Sequence, residues 1–103
     1  MNLYENLPAD PSMEHFEDIV NQANVRIERI VSFGQQSPQS GWYEQAQQEW
    51  VVVLKGRGIV SYDDGREFDL SNGDSLLIPA QQKHKVSFTD PEQATIWLAV
   101  FFD

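Results

Sequence analysis

Hydrophobic and polar residues alternate along most of the chain. In residues 25–33 the alternation predicts a β-strand with one apolar face, formed by Val25, Ile27, Val31 and Phe33. Residues 50–54 are apolar at almost every position, as expected for a strand that is covered on both faces. Further short strands are predicted at residues 59–62, 67–70, 75–78, 85–88 and 94–102.

Turn-forming residues separate these predicted strands. Asp63-Asp64-Gly65 lies between two short strands, which predicts a hairpin, and residues 56–58 and 72–74 are further turns. Residues 34–41 have the composition of a loop. Short strands at regular spacing with such turns between them are typical of an all-β sandwich or barrel.

The N-terminal part has a different pattern. Its apolar residues follow the spacing of a helix face, so we predict a short amphipathic helix over residues 13–22, with Met13, Phe16, Ile19, Val20 and Ala23 on one side. The 103-residue length predicts one domain overall. Within it, residues 1–24 are expected to form an arm and the helix, and residues 25–103 a β-barrel.

Composition narrows the classes of partner. The formal net charge is −9, which disfavours binding to nucleic acids and to anionic membranes. The chain has no cysteine, which excludes disulfides and zinc–thiolate sites. The apolar run at residues 96–102 is too short to cross a bilayer, and residues 1–5 do not resemble a signal peptide. We therefore expect a cytoplasmic protein.

Two spaced motifs carry a resemblance to a known family. Glu49 is followed by six residues and Gly56, and Gly73 is followed by five residues and Pro79, with His84 five residues later. In this order the motifs resemble the two conserved motifs of the cupin superfamily, over residues 41–88. The chain is also similar to short, single-domain bacterial cupins of the conserved-barrel type whose function is unassigned. The resemblance implies a double-stranded β-helix, or jelly-roll barrel, with one pocket.

The resemblance is incomplete at the site that binds metal in the family. The His-x-His of the first motif is absent, and its place is taken by Trp42, Tyr43, Glu44 and Gln45. By position, the resemblance implies Glu49 and His84 as ligands, and Glu44 is a candidate second carboxylate. Two carboxylates and one imidazole suit Fe, Mn, Ni or Zn as a divalent ion. A pocket without metal is the open alternative.

The same alignment predicts which side chains line the pocket. Strand alternation places Val51 and Val53 beneath Glu49, and Val86 and Phe88 beneath His84, as an apolar floor. The predicted pocket wall consists of Trp42, Tyr43, Gln45, Val51 and Val86. An apolar pocket with a few convergent polar groups is the usual form of a small-molecule site.

Three functions stay open from the sequence. The first is binding of a small molecule without turnover. The second is a metal-dependent enzyme, such as a dioxygenase, isomerase or lyase. The third is acid–base catalysis by Glu49 and His84 without metal, as in cupin sugar epimerases.

A homodimer is expected, with the N-terminal arm and residues 94–102 as contact elements.

Overall fold

The computed structural model describes residues 1–103 and contains eight β-strands. In chain order they are β1 (His15–Asn21), β2 (Val25–Ser32), β3 (Gln48–Lys55), β4 (Arg57–Tyr62), β5 (Glu67–Ser71), β6 (Ser75–Ile78), β7 (His84–Thr89) and β8 (Thr95–Phe102). Five strands form one antiparallel sheet in the order β1-β2-β8-β3-β6, and three form a second in the order β5-β4-β7. The predicted all-β fold of two facing sheets is confirmed. The structure has no helix that could cross a membrane.

The predicted helix over residues 13–22 is wrong, because this segment forms β1 and pairs with β2. The register shifts between Asp18 and Val20, which is the mark of a β-bulge. Before the bulge, Phe16 lies opposite Ile30 on the inner face of the sheet, and after it Val20 lies opposite Ile27 on the outer face. Because of the extra residue in the bulge, the apolar residues of β1 have the spacing expected for one face of a helix, although the segment is a strand.

The inner faces of the two sheets form the core. Nine buried side chains make up this cluster: Val51, Val53, Val60, Tyr62, Leu70, Ile78, Trp97, Ala99 and Phe101. Trp97 is the largest fully buried side chain, and its Nε1 donates a hydrogen bond to Ser32 Oγ at 3.2 Å. A Cβ atom on Gly58 would come within 2.3 Å of the Trp97 ring, so only glycine fits at that position of β4.

The outer face of β2 carries the alternating residues that the sequence predicts on one side. Val31 is fully buried there, and so is the charged residue Arg29, which is only 2% exposed. The Arg29 guanidinium donates to both carboxylate oxygens of Glu17, at 2.8 and 3.0 Å. It also donates to the backbone carbonyls of the N-terminal arm at Leu3, Glu5 and Asn6. Arg29 therefore fastens the arm to the outer face of the large sheet.

Replacing Arg29 with methionine should lower the free energy of unfolding by about 3 kcal/mol, because Glu17 and three arm carbonyls lose their donor. Urea denaturation followed by Trp fluorescence measures the change. Arg57→Met is the matched control, because Arg57 and its partner Asp69 are both about half exposed at 48% and 53%. An Arg29 variant as stable as the Arg57 variant would contradict this role.

Candidate functional site

A cavity of about 220 Å³ lies between the two sheets, and nine of its 16 lining residues are hydrophobic. Val51 of β3 and Ile78 of β6 line it from the large sheet, and Val60 of β4 and Val86 of β7 from the small one. Strand alternation produces this wall, because every second residue of each strand faces inward. The other seven lining residues are polar or charged, and they include Glu49 and His84.

Glu49 and His84 meet in this cavity from opposite sheets. Glu49 lies on β3 and His84 begins β7, and the two residues are 8% and 3% exposed. His84 Nε2 is 3.5 Å from Glu49 Oε1. The side-chain amide of Gln45 donates to the same carboxylate oxygen at 3.1 Å. The structure thus brings together two of the three metal candidates suggested by the sequence.

Backbone contacts fix the orientation of His84. Its Nδ1 lies 2.8 Å from the carbonyl oxygen of Gln82, which can only accept, so Nδ1 carries a hydrogen and Nε2 faces Glu49. Two backbone hydrogen bonds join residues 43 and 84, with donor–acceptor distances of 2.8 and 3.0 Å. Tyr43 also lies beside the imidazole, with ring centroids 5.7 Å apart, and its hydroxyl hydrogen-bonds Ser37.

The surroundings of His84 change its acidity in opposite directions. Burial lowers the pKa of the imidazole, because the charged form loses water. The Glu49 carboxylate 3.5 Å from Nε2 and the carbonyl of Gln82 raise the pKa, and together they outweigh burial. The pKa of His84 is therefore above its usual value, which favours the protonated imidazole beside Glu49.

The remaining sequence candidates divide between the cavity and the surface. Tyr43, Gln45, Val51 and Val86 all line the cavity. Trp42 does not, since it is 40% exposed and its ring lies 4.5 Å from Lys85 Nζ.

Two other candidates also lie away from the cavity. The carboxylate of Glu44 is 46% exposed and lies 4.0 Å from Lys83 Nζ. Phe88 does not form part of the cavity floor. A register shift between β4 and β7 changes which residues face inward, and the ring of Phe88 is covered by the Arg57 guanidinium.

The donor set in the cavity does not match a resident transition-metal site. A divalent ion of this kind is usually held by at least three imidazole, carboxylate or thiolate ligands. No group of three such residues comes together anywhere in the structure. Glu49 and His84 supply two ligands, and the neighbouring amide of Gln45 is a weak one.

The sequence analysis missed three charged residues of the cavity, Glu14, Arg26 and Glu28. Arg26 and Glu28 of β2 both line it, opposite Phe101 and Ala99 of β8. They occupy the polar positions of the β2 alternation, which a strand normally turns to solvent. Through β8, Arg26 is in register with Glu49 and Glu28 with Val51, and this register is visible only in the folded sheet.

Comparisons with known proteins agree with this architecture. The family model described as Cupin domain matches residues 29–101. A structure from Ralstonia eutropha JMP134, provisionally assigned as a mannose-6-phosphate isomerase, is 36% identical with a TM-score of 0.93 and covers 100% of this chain and 96% of its own.

Other structures are similar at the level of the fold. A cupin superfamily protein from Desulfitobacterium hafniense DCB-2 is 16% identical, with a TM-score of 0.78 over 93% of this chain and 83% of its own. A cupin 2 conserved barrel domain protein from Leptotrichia buccalis is 20% identical, with a TM-score of 0.83 over 100% of this chain and 47% of its own. No curated protein sequence matches this chain.

The raised pKa of His84 predicts a pH dependence of stability. The folded state binds the His84 proton more tightly than the unfolded chain, so this stabilisation is complete below about pH 6.5, the usual histidine pKa. It should be lost as the pH rises through the higher pKa of the folded state. Glu49→Gln removes the main cause of the rise, so burial should then lower the pKa of His84.

An NMR titration of the imidazole Cε1–H resonance measures this pKa directly, and unfolding by urea at several pH values measures the linked stability. The chain has two histidines, so a His15→Gln variant assigns the His84 signal. A His84 midpoint that stays unchanged in Glu49→Gln would contradict the pairing.

Proposed function

This chain belongs to the cupin family, and from that premise we propose that it binds a small organic molecule in the cavity between its sheets. Glu49 and His84 would be the polar anchor of this site. The observation that supports the proposal is their buried contact of 3.5 Å within a largely apolar cavity. Small-ligand sites usually combine an apolar wall with a few convergent polar groups.

The energetic cost of this pair also supports a functional role. A buried ion pair loses the hydration of both charges, and well-packed apolar residues often stabilise a fold as well or better. The positions around the pair are occupied by residues such as Val51 and Ile78, so the barrel accepts apolar side chains at this depth. A charged pair kept at the cavity wall is therefore better explained by a ligand than by folding.

The pair offers complementary chemistry to a bound molecule. The carboxylate of Glu49 can accept a hydrogen bond from a ligand hydroxyl or amine, and the imidazolium of His84 can donate one from Nε2. The apolar wall would contact the carbon skeleton of the ligand. The cavity volume of about 220 Å³ limits the ligand to a small molecule.

Metal-free acid–base catalysis is the second candidate function. The hydrogen bond from Nδ1 to Gln82 fixes the His84 tautomer, and this leaves Nε2 and the Glu49 carboxylate facing the same space. One group could remove a proton from a bound substrate while the other donates one. The donor set does not favour a metal-dependent reaction, since only two strong ligands converge.

Mannose 6-phosphate and mannose are the first compounds to test, because of the provisional assignment of the Ralstonia eutropha protein. Glu49→Gln and His84→Gln should each weaken binding at least about tenfold, since each removes a charged hydrogen-bond partner. Isothermal titration calorimetry measures the change. Glu44→Gln is the control, because Glu44 is exposed and lies outside the cavity.

Native mass spectrometry of untagged protein, with elemental analysis, completes the test. We expect no stoichiometric metal. A metal bound one-to-one and lost in His84→Gln would refute the metal-free site. The proposed function would be contradicted if Glu49→Gln bound the ligand as tightly as Glu44→Gln. It would also be contradicted if mass spectrometry found no bound organic molecule and calorimetry detected no binding heat with either sugar.

We also propose that two copies pair through the outer face of the large sheet. A row of apolar side chains crosses all five strands there, in the order Val20, Ile27, Val100, Trp50 and Leu77. Trp50 is 37% and Leu77 is 51% exposed. The arm held by Arg29 covers the neighbouring part of this face but not this row. An isologous dimer would cover the same row on both copies.

Multi-angle light scattering should therefore give a dimer mass for the wild-type chain and a monomer mass for Leu77→Glu, because a buried unpaired carboxylate opposes association. Trp42→Glu is the matched control, since Trp42 is 40% exposed but lies outside the strands, the arm and residues 94–102. A monomeric wild-type protein at high concentration would exclude this assembly.

A further inference from the structure

We infer that Arg26 is a second anchor of the cavity and that it recognises an anionic oxygen group, a carboxylate or a phosphate, on the ligand. The inference rests on the proposed binding function and goes beyond it by naming the chemical class of ligand. It starts from one observation. The Nε atom of Arg26 is buried, and no acceptor in the protein hydrogen-bonds it.

Two other arginines of the chain show how unusual this is. Arg57 covers the ring of Phe88 and Arg66 covers the ring of Tyr62, as Arg26 covers the ring of Phe101. In both of these surface stacks, Nε donates a hydrogen bond of 2.9 Å to a carboxylate. Arg57 donates to Asp69, and Arg66 donates to Asp64. The carboxylate nearest Arg26, that of Glu28, stays 3.5 Å from Nε and accepts no hydrogen bond from it. The cavity arginine alone lacks a close acceptor.

The position of Arg26 suits recognition of a ligand held by the first anchor. Arg26 and Glu49 both lie opposite Phe101, on the two strands that flank β8. Two strand spacings separate their backbones by about 9–10 Å. The guanidinium is held 4.2 Å from the centre of the Phe101 ring, and 39% of the side chain is exposed. A fixed, accessible guanidinium presents the planar donor fork that carboxylates and phosphates prefer.

Two of the three carboxyl groups that line the cavity have partners other than Arg26, and the third, Glu28, lies beside it. Glu14 accepts a hydrogen bond from the Ser32 hydroxyl at 2.5 Å. Glu49 lies between Gln45 and His84. Burial raises the pKa of Glu28, which makes protonation of the one carboxyl beside Arg26 less costly when an anion binds.

The geometry therefore favours a small organic anion. Its acidic group would bind Arg26 above Phe101, and a hydroxyl or other donor at its far end would bind Glu49. An uncharged ligand could offer Arg26 only a neutral acceptor, which forms a weaker hydrogen bond than a carboxylate or phosphate oxygen, and a cationic ligand would be repelled by it. Arg26 acts here as a specificity residue and takes no part in proton transfer.

The Nε–Hε resonances of the arginines give a test that does not require the natural ligand. In a ¹⁵N-labelled wild-type protein, titration with acetate and with inorganic phosphate should shift the Arg26 signal and saturate. Arg57 and Arg66 should shift little, since their Nε groups are already paired. Acetate and phosphate as separate arms show which anion is preferred. Arg26→Gln assigns the signal.

Ligand affinity gives the second readout. Mannose 6-phosphate should bind at least about tenfold more tightly than mannose, and gluconate more tightly than sorbitol, because a charged hydrogen bond is gained. Arg26→Gln should remove this preference, Arg26→Lys should restore part of it, and Arg66→Gln should leave it unchanged. Urea denaturation verifies that each variant is folded.

An Arg26 signal that moves with neither anion, or only in parallel with Arg57 and Arg66, would overturn the inference. The inference would also be overturned if mannose 6-phosphate bound no more tightly than mannose and gluconate no more tightly than sorbitol. If mannose or sorbitol still binds in a Glu49-dependent way in that case, the proposed binding function stands while the anionic class is excluded.

Discussion

Both faces of the five-stranded sheet carry apolar side chains that must be shielded from water. In this chain of 103 residues, only the three-stranded sheet and the N-terminal arm are available to pack against them. The small sheet takes the inner face, and the arm takes part of the outer one through Arg29. β8 lies at the centre of the large sheet, and its nearly continuous apolar sequence is covered fully on the inner face but only in part on the outer face, where Leu98, Val100 and Phe102 are half-buried. The cavity and the apolar row on the outer face both follow from this limited cover.

The inner cover is incomplete, and the gap is where the charged residues lie. Near Glu49 and His84 the two sheets stand apart around a cavity, while at Trp97 they are close enough that Gly58 can carry no side chain. Dense packing at one end and an open end lined by polar groups are the features that a ligand site needs. The loop before β3 contributes by adding Tyr43 and Gln45 to the wall, held there by backbone hydrogen bonds to β7 and to Gln81.

Register shifts decide which side chains enter the cavity. The bulge in β1 turns Phe16 inward and Val20 outward, and the shift between β4 and β7 keeps Val86 inside while Phe88 lies under Arg57 outside. In both places one unpaired residue inverts the inside–outside alternation of the rest of the strand. Such shifts are common near functional sites, where they redirect individual side chains.

The strands from residue 25 onward could be predicted from the sequence alone, because alternation and turn residues are local properties. The resemblance to the two cupin motifs also predicted that Glu49 and His84 share one pocket, and both line the cavity. The sequence could not identify β1, since a bulge with a short apolar run has the same spacing as a helix face. Tertiary structure decided that segment, because pairing with β2 satisfies the backbone of residues 15–21.

Tertiary structure also decided which face of each strand lines the cavity. Alternation shows that β2 has two faces, but the apolar face turned out to lie under the arm, and the face with Arg26 and Glu28 turned inward. Glu44 and Trp42 precede a strand without belonging to it, so no periodicity constrained their direction, and both point to the surface. The order of residues along a strand determines which side chains share a face. Which face becomes the inner one, and which way a loop side chain points, depend on the elements that pack against that strand or loop in the folded protein.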